Sequence, residues 1–222
     1  MAIAHRVTGG AAHGAAAIVV SPGAGRAVND IDLMFIETEN QAALLTTAAG
    51  FALVTGTDVG FGTAAAADAC RMTVYWRRWN GTDGDPTITD SGDHQLALII
   101  SYSGVVTTGN PWDVVGTNQQ TVATTAGSAT GVTTTLADTD YRIIIASAGS
   151  LPDALGLLAT EVSGVTNGNL TGLTERADST SNAGSGGSLF VADGGFSIAG
   201  ATGATTFTSV TSATKANVNL VG

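Results

Sequence analysis

Charge, aromatic rings and cysteine are all scarce in this 222-residue chain, and each scarcity removes a class of explanation. Charged residues make up 12%, about half the roughly 25% usual in a soluble domain, and aromatics only 5%. A chain so poor in charge is not a highly charged disordered segment. Cys70 is the only cysteine, which excludes an intramolecular disulfide and a Cys-ligated zinc site and suits synthesis in a reducing cytosol. Lys215 is the only lysine. Eight basic residues stand against 18 acidic ones, for a net charge of −10, and the nearest basic cluster, Arg71, Arg77 and Arg78, is isolated. Nucleic-acid backbones are held by clustered Lys and Arg, so no nucleic-acid partner is expected. No apolar run approaches the ~18 residues of a spanning helix, and no membrane partner is expected. The start, Met1-Ala2-Ile3-Ala4-His5-Arg6, lacks the cationic and apolar regions of a secretory signal.

Small and β-branched residues take the place of the missing types. Ala, Gly and Thr supply 99 of the 222 residues, a composition that leans toward sheet. Turn signals recur about every ten residues between short β-rich segments, the rhythm of a sandwich or barrel. Arg71 to Trp79 alternates cleanly, with Met72, Val74 and Trp76 on one face and Arg71, Thr73, Tyr75 and Arg77 on the other. Ile31–Ile36, Gln95–Tyr102 and Tyr141–Ala146 are equally firm. In Gln95–Tyr102, Ala97 and Ile99 oppose Leu96, Leu98 and Ile100, which predicts a strand covered on both sides. Ala17–Val20, Phe51–Thr55, Gly172–Arg176, Ser188–Val191, Thr205–Ser209 and Ala216–Val221 are further strand candidates. Ala-rich composition offers short helices at Glu39–Thr47 and Ala64–Asp68, and Asp153–Thr160 reads as a helical turn or a strand. Thr121–Thr135 and Thr180–Ser188 read as long mobile loops or edges. No fixed-period repeat appears, and one all-β domain is expected over residues 1–222: a single β-sandwich, jelly-roll or immunoglobulin-like, with an extended N-terminal segment over about residues 1–15.

Sites of chemistry are sparse. Asp83, Asp85, Asp90 and Asp93 crowd one loop beside Asn80 and supply the oxygen ligands calcium takes, which makes Asp83 and Asp85 the calcium candidates. Asx turns use the same residues to satisfy backbone donors, and the turn reading is favoured. His5, His13 and His94 lie in separate segments and read as surface or turn residues. No Gly-x-Ser-x-Gly elbow or phosphate-binding glycine loop occurs, and Cys70 reads as a buried structural thiol. No enzyme activity and no cofactor are expected. Trp79 and Trp112, beside turns, are the candidate ligand or interface contacts, whereas Trp76 shares a core face.

From Arg71-Met72-Thr73-Val74-Tyr75-Trp76-Arg77 onward, the order of blocks resembles a family: the Ala/Gly/Thr-rich β-sandwich virion proteins of tailed bacteriophages and prophages. The blocks are Asn29–Phe35, Ala48-Ala49-Gly50-Phe51-Ala52-Leu53-Val54, the strand running into Asp85-Pro86, Leu98–Val105, Asn110-Pro111-Trp112-Asp113, Leu173-Thr174-Glu175-Arg176 and Leu189–Asp193. The resemblance covers about residues 18–220. Ala48 stands where the family pattern has proline, and Phe51 where it has tryptophan. The resemblance implies a non-enzymatic structural component of a virion, made in the host cytoplasm. A capsid decoration (cement) protein is the first expectation. Its partners would be the major capsid protein or tail proteins and further copies of itself, a homo-oligomer such as a trimer. A tail or baseplate protein and a carbohydrate-binding host-contact module are the alternatives.

Overall fold

Period-two alternation carries through into three dimensions: the computed structural model describes residues 3–135, 140–152 and 160–222, and these are antiparallel β with no helix among them. The first half of the chain supplies β1 (Ala4–Thr8), β2 (Ala12–Gly14), β3 (Ile18–Val19), β4 (Ile31–Thr38), β5 (Leu45–Thr47), β6 (Ala52–Leu53), β7 (Val59–Phe61), β8 (Cys70–Arg78), β9 (Thr87–Ile88) and β10 (Gln95–Ser103). The second half supplies β11 (Val114–Ala129), β12 (Tyr141–Ser150), β13 (Val162–Thr166), β14 (Thr171–Ser181), β15 (Gly187–Phe196) and β16 (Thr205–Val221). Each half builds one large sheet. The first has the order β1-β10-β4-β8-β6, with β2 beside β10 and β7 beside β8. The second has the order β11-β16-β12-β15-β14, with β13 beside β16, and a small sheet β3-β9-β5 stands apart. The extended N-terminal segment is thus tied down as edge strands on β10.

The two large sheets form a β-sandwich, and its interior follows from residue parity. Ile31, Leu33 and Phe35 of β4, Met72 and Val74 of β8, and Leu96, Leu98 and Ile100 of β10 meet Ile144 and Ala146 of β12, Leu189 and Val191 of β15, and Val218 and Leu220 of β16. Alternate residues of the same strands bury outward. Met34, Ile36, Ala97 and Ile99 pack under the small sheet with Ile18, Ile88 and Phe51, so the two-sided cover expected of Gln95–Tyr102 is present. Fully burying one such aliphatic or aromatic side chain contributes about 1.5–3 kcal/mol.

The outer face of the second sheet is covered by its own strands. Asn118 donates to Ser128 O (2.9 Å) and Gln120 to Ala126 O (3.0 Å), while Ser128 N–H donates back to Gln120 Oε1 (2.9 Å). At about 3.3 Å per residue a straight strand would hold residues 118 and 128 roughly 33 Å apart. The β11/β16 ribbon therefore doubles back, at register breaks between Gln120 and Ala126. Asn217 and Asn219 reach from β16 to Ser128 O and Thr130 O, and Phe207 lands on Phe190 with ring centroids 5.4 Å apart. Close approach demands glycine at 127, where a Cβ would lie 2.0 Å from the Phe207 ring. Gly127→Ala is expected to cost about 1–3 kcal/mol by overpacking. A lowered thermal midpoint checks this, and an unchanged one would mean that the ring of Phe207, the cross-strand partner of Gly127, turns aside without cost.

Several sequence expectations need correction. Glu39–Thr47 and Ala64–Asp68 are not helices: the first holds a turn and β5, and the second is a turn in which Ala65 and Asp68 take positive φ. Thr121–Thr135 is largely strand, and of Thr180–Ser188 only residues 182–186 lie between strands. The candidates Thr205–Ser209 and Ala216–Val221 are two ends of the single strand β16. Asp153–Thr160 lies outside the described residues apart from Thr160.

Candidate functional site

An edge and a buried cluster are the two places where the fold concentrates functional groups. The edge is β11, which pairs with β16 on one side and has no strand on its other side among the described residues. An unpaired edge is a row of backbone donors and acceptors open to a further strand. The folded-back end of β11 is sealed by the Asn118 and Gln120 amides, which satisfy Ala126, Ser128 and Thr130 as a neighbouring strand would. The stretch before it is not sealed in this way. It exposes Thr117, Gln119, Thr121, Val122 and Ala123, and the bend of the ribbon presents Val122 and Val210 at 76% and 65% exposure. Other edges are shorter: β1 has five residues and β6 two, a device that blunts strand pairing, while β14, like β11, breaks register twice.

The cluster sits at one end of the sandwich. Antiparallel pairing sets Leu96 opposite Glu37 and Gln95 opposite Thr38, so the Asp93-His94 dipeptide meets the Glu37-Thr38-Glu39 end of β4. His94 is fully buried. Its Nε2–H donates to both Glu37 carboxylate oxygens (3.0 and 3.1 Å), and its Nδ1–H donates to Asp93 Oδ2 (3.0 Å). Burial alone would depress the imidazole, but the Glu37 charge and the hydrogen bonds to both carboxylates outweigh it and hold His94 up at about 9. Glu37 is pushed up by burial and only partly relieved by His94. Burial, then the neighbouring Asp93 carboxylate, raises Glu39 to about 7. Asp93 is held near 2, since hydrogen bonding with Glu39, His94 and the Ser185 N–H overcomes its burial. The surface or turn reading of the histidines therefore fails for His94. The pattern that carries this site, two glutamates at period two ending a strand and an Asp-His opening another, becomes informative only once those strands are paired.

The remaining sequence candidates are scattered. Asn80 Oδ1 accepts from the Thr82 and Asp83 N–H groups, and Asp90 Oδ1 from Gly92 N–H, as Asx turns do. Asp83 accepts from Asn80 Nδ2, whereas Asp85 accepts from Ser21 Oγ. Among the described residues, one group of His, Cys, Asp and Glu brings three ligand atoms within 4.8 Å of one another, and it is Glu39, Asp93 and His94, without Asp83 or Asp85. Trp79 is half-buried beneath the Arg26 guanidinium, 4.4 Å from its ring centroid. Trp112, also half-buried, meets Trp76 edge to face at 5.9 Å, and the pair lines a cleft of about 290 Å³ with Asn110 and Asp113. The two proposed contact tryptophans thus serve different surroundings. Cys70 is buried, and burial pushes its thiol well above the usual range.

No family model matches the chain, and no curated protein or solved structure matches it.

Proposed function

We propose that this protein is a structural component of a bacteriophage virion: a capsid decoration (cement) protein that stabilises the outer head surface through repeated contacts with the major capsid protein and with further copies of itself. The observation that carries the reading is the unpaired β11 edge, with Val122 and Val210 exposed where its ribbon bends. An edge strand and an apolar corner can add to a neighbour's sheet or bury against it. Many modest contacts on a symmetric shell then reinforce one another through avidity. The net charge of −10 suits an outer surface, since the inner wall of a filled head faces packed DNA. The resemblance in block order points the same way.

Val122→Lys tests the edge. At 76% exposure the side chain contributes little to the fold, so stability is expected to stay within about 0.5 kcal/mol of the parent. Co-sedimentation with particles stripped of this protein should be largely lost. Rebinding at the parental level would rule the edge out as the contact.

One observation favours a second reading. The Trp76–Trp112 cleft sets two indoles beside Asn110 and Asp113, the residue types of a carbohydrate site. Binding to a glycan array that disappears in Trp112→Ala would establish a host-contact module in place of the decoration role.

A further inference from the structure

Apart from the β11 edge, the group at the end of β4 has the construction of a metal centre. Three potential ligands converge there: His94 Nδ1, an Asp93 carboxylate oxygen and a Glu39 carboxylate oxygen, all within 4.8 Å of one another. Two ligands that each sit about 2.1 Å from a metal ion are about 3.0 Å apart at an octahedral angle of about 90° and about 3.4 Å apart at the tetrahedral angle of zinc. Nδ1 and Asp93 Oδ2 stand 3.0 Å apart. A cation can therefore take the place of the proton between them with little movement of either side chain.

The second shell is equally specific. Metal-bound histidines almost always donate their other ring N–H to a carboxylate, which fixes the tautomer and aims the lone pair. Glu37, fully buried, accepts from Nε2 with both oxygens, which directs Nδ1 toward Asp93. The Ser185 N–H orients the Asp93 carboxylate from the turn between β14 and β15. That turn packs tightly: a Cβ at Gly184 would lie 2.6 Å from Asp93 Oδ1, and one at Gly187 would lie 2.2 Å from Glu37 Oε2.

Glu39 supplies a separate indication. Its side chain is fully buried, and among the described residues no N–H or hydroxyl donates to Oε1 or Oε2, which leaves only a proton shared with the Asp93 carboxylate to satisfy it. Nearly all buried polar atoms in folded proteins have a partner, so a buried carboxylate with no such donor is an exception that needs a cause. A cation beside Asp93 and His94 supplies the missing partner and offsets most of the negative charge of Glu37, Glu39 and Asp93. Glu39 also lines a cavity of about 340 Å³ together with Asp68, Ser150 and Ser185, which leaves room for water ligands.

We propose that Glu39, Asp93 and His94 bind a divalent first-row transition-metal ion, with Glu37 as the positioning residue for His94. One imidazole with two carboxylates suits zinc or manganese, whereas calcium takes six to eight oxygen ligands. The ion locks the end of β4 to the start of β10 and, through Ser185, to the second sheet. Binding exchanges the Nδ1 proton of His94 for the cation and releases that proton to solvent.

Zinc and manganese chlorides titrated into the EDTA-dialysed full-length protein test the site, by calorimetry and by thermal unfolding. One equivalent of zinc or manganese should bind, and the melting temperature should rise with the concentration of that ion, as for any ligand of the native state. Calcium should do neither. Glu39→Gln should weaken binding at least 100-fold, and Glu37→Gln by about 10–100-fold, the usual effect of losing an outer-shell partner. His13→Ala, on β2, should change nothing. No stoichiometric binding by the parent protein, or an unchanged affinity in Glu39→Gln, overturns the proposal. If either variant fails to fold, the parent titration decides the matter alone.

Discussion

Asp193→Ala is expected to destabilise the protein by about 1–3 kcal/mol, the cost of leaving the buried Tyr102 hydroxyl and two partly exposed arginines without their partner. Asp193, on β15, is fully buried between two arginines. Arg176 donates to it through Nε (2.8 Å) and a terminal nitrogen (3.1 Å), and Arg142 donates from β12. The fourth member, Tyr102, comes from β10 in the opposite sheet, and its hydroxyl donates to Asp193 Oδ2 at 2.9 Å. One carboxylate therefore pairs with two guanidinium groups and ties the two halves of the sandwich together. Without it, two partly exposed like charges face each other and must turn to water, with a tyrosine hydroxyl left unsatisfied beside them. The urea midpoint should fall with no change in the slope of the transition. Tyr102→Phe keeps the ring in the core and removes only the cross-sheet hydrogen bond, so about 0.5–1.5 kcal/mol is expected. A loss below about 1 kcal/mol for Asp193→Ala would show that the arginines find other partners.

A larger loss is expected for Asp32→Ala, on the other face of the first sheet. Asp32 and Arg77 are directly opposite on β4 and β8, and Arg77 Nε donates to Asp32 Oδ2 at 2.9 Å. Both side chains are almost wholly buried, whereas the second partner, Arg26, is partly exposed and can turn to water. Arg77 also holds two loops: it donates to Ala49 O (2.8 Å) and Gly84 O (2.9 Å), and it stacks over Phe51 at 4.5 Å. Ala49 and Gly50 both have positive φ, and Phe51 N–H donates to Ala48 O, so the Ala48–Phe51 block is a tight turn seated on this arginine. Removing Asp32 strands the Arg77 charge, at about 3–5 kcal/mol. The double variant Asp32→Leu/Arg77→Met should recover most of that loss, because no buried charge remains unpaired. Unfolding midpoints of the two single variants and the double variant measure the coupling. Additive losses would mean that the pair acts as two independent residues.

What could be read from the sequence was what parity and burial encode locally. β4, β10 and β12 each carry apolar residues on both faces and β8 alternates cleanly, and such runs announce strands without help from the rest of the chain. The threonine-rich part of β11 gave no such signal. It is held by the amides of Asn118, Gln120, Asn217 and Asn219, and two of those four lie nearly 100 residues away. Glutamine and asparagine in a polar run look the same whether they seal a strand edge or hang in water. The fold-back of the ribbon and the division of the chain into one sheet per half were invisible for the same reason: both are long-range pairings. The Glu37–Glu39–Asp93–His94 group was hidden by register. Asp93 read as one more member of an acidic turn, and only the pairing of β10 with β4 parts it from Asp83 and Asp85.

Finding and counting this protein on purified phage particles tests the proposed virion role most directly. Quantitative mass spectrometry against the major capsid protein should find hundreds of copies per particle, and mild stripping of those copies should lower the resistance of the heads to heat. A handful of copies would place the protein on a tail or fibre, and particles that lack it altogether would contradict a virion role.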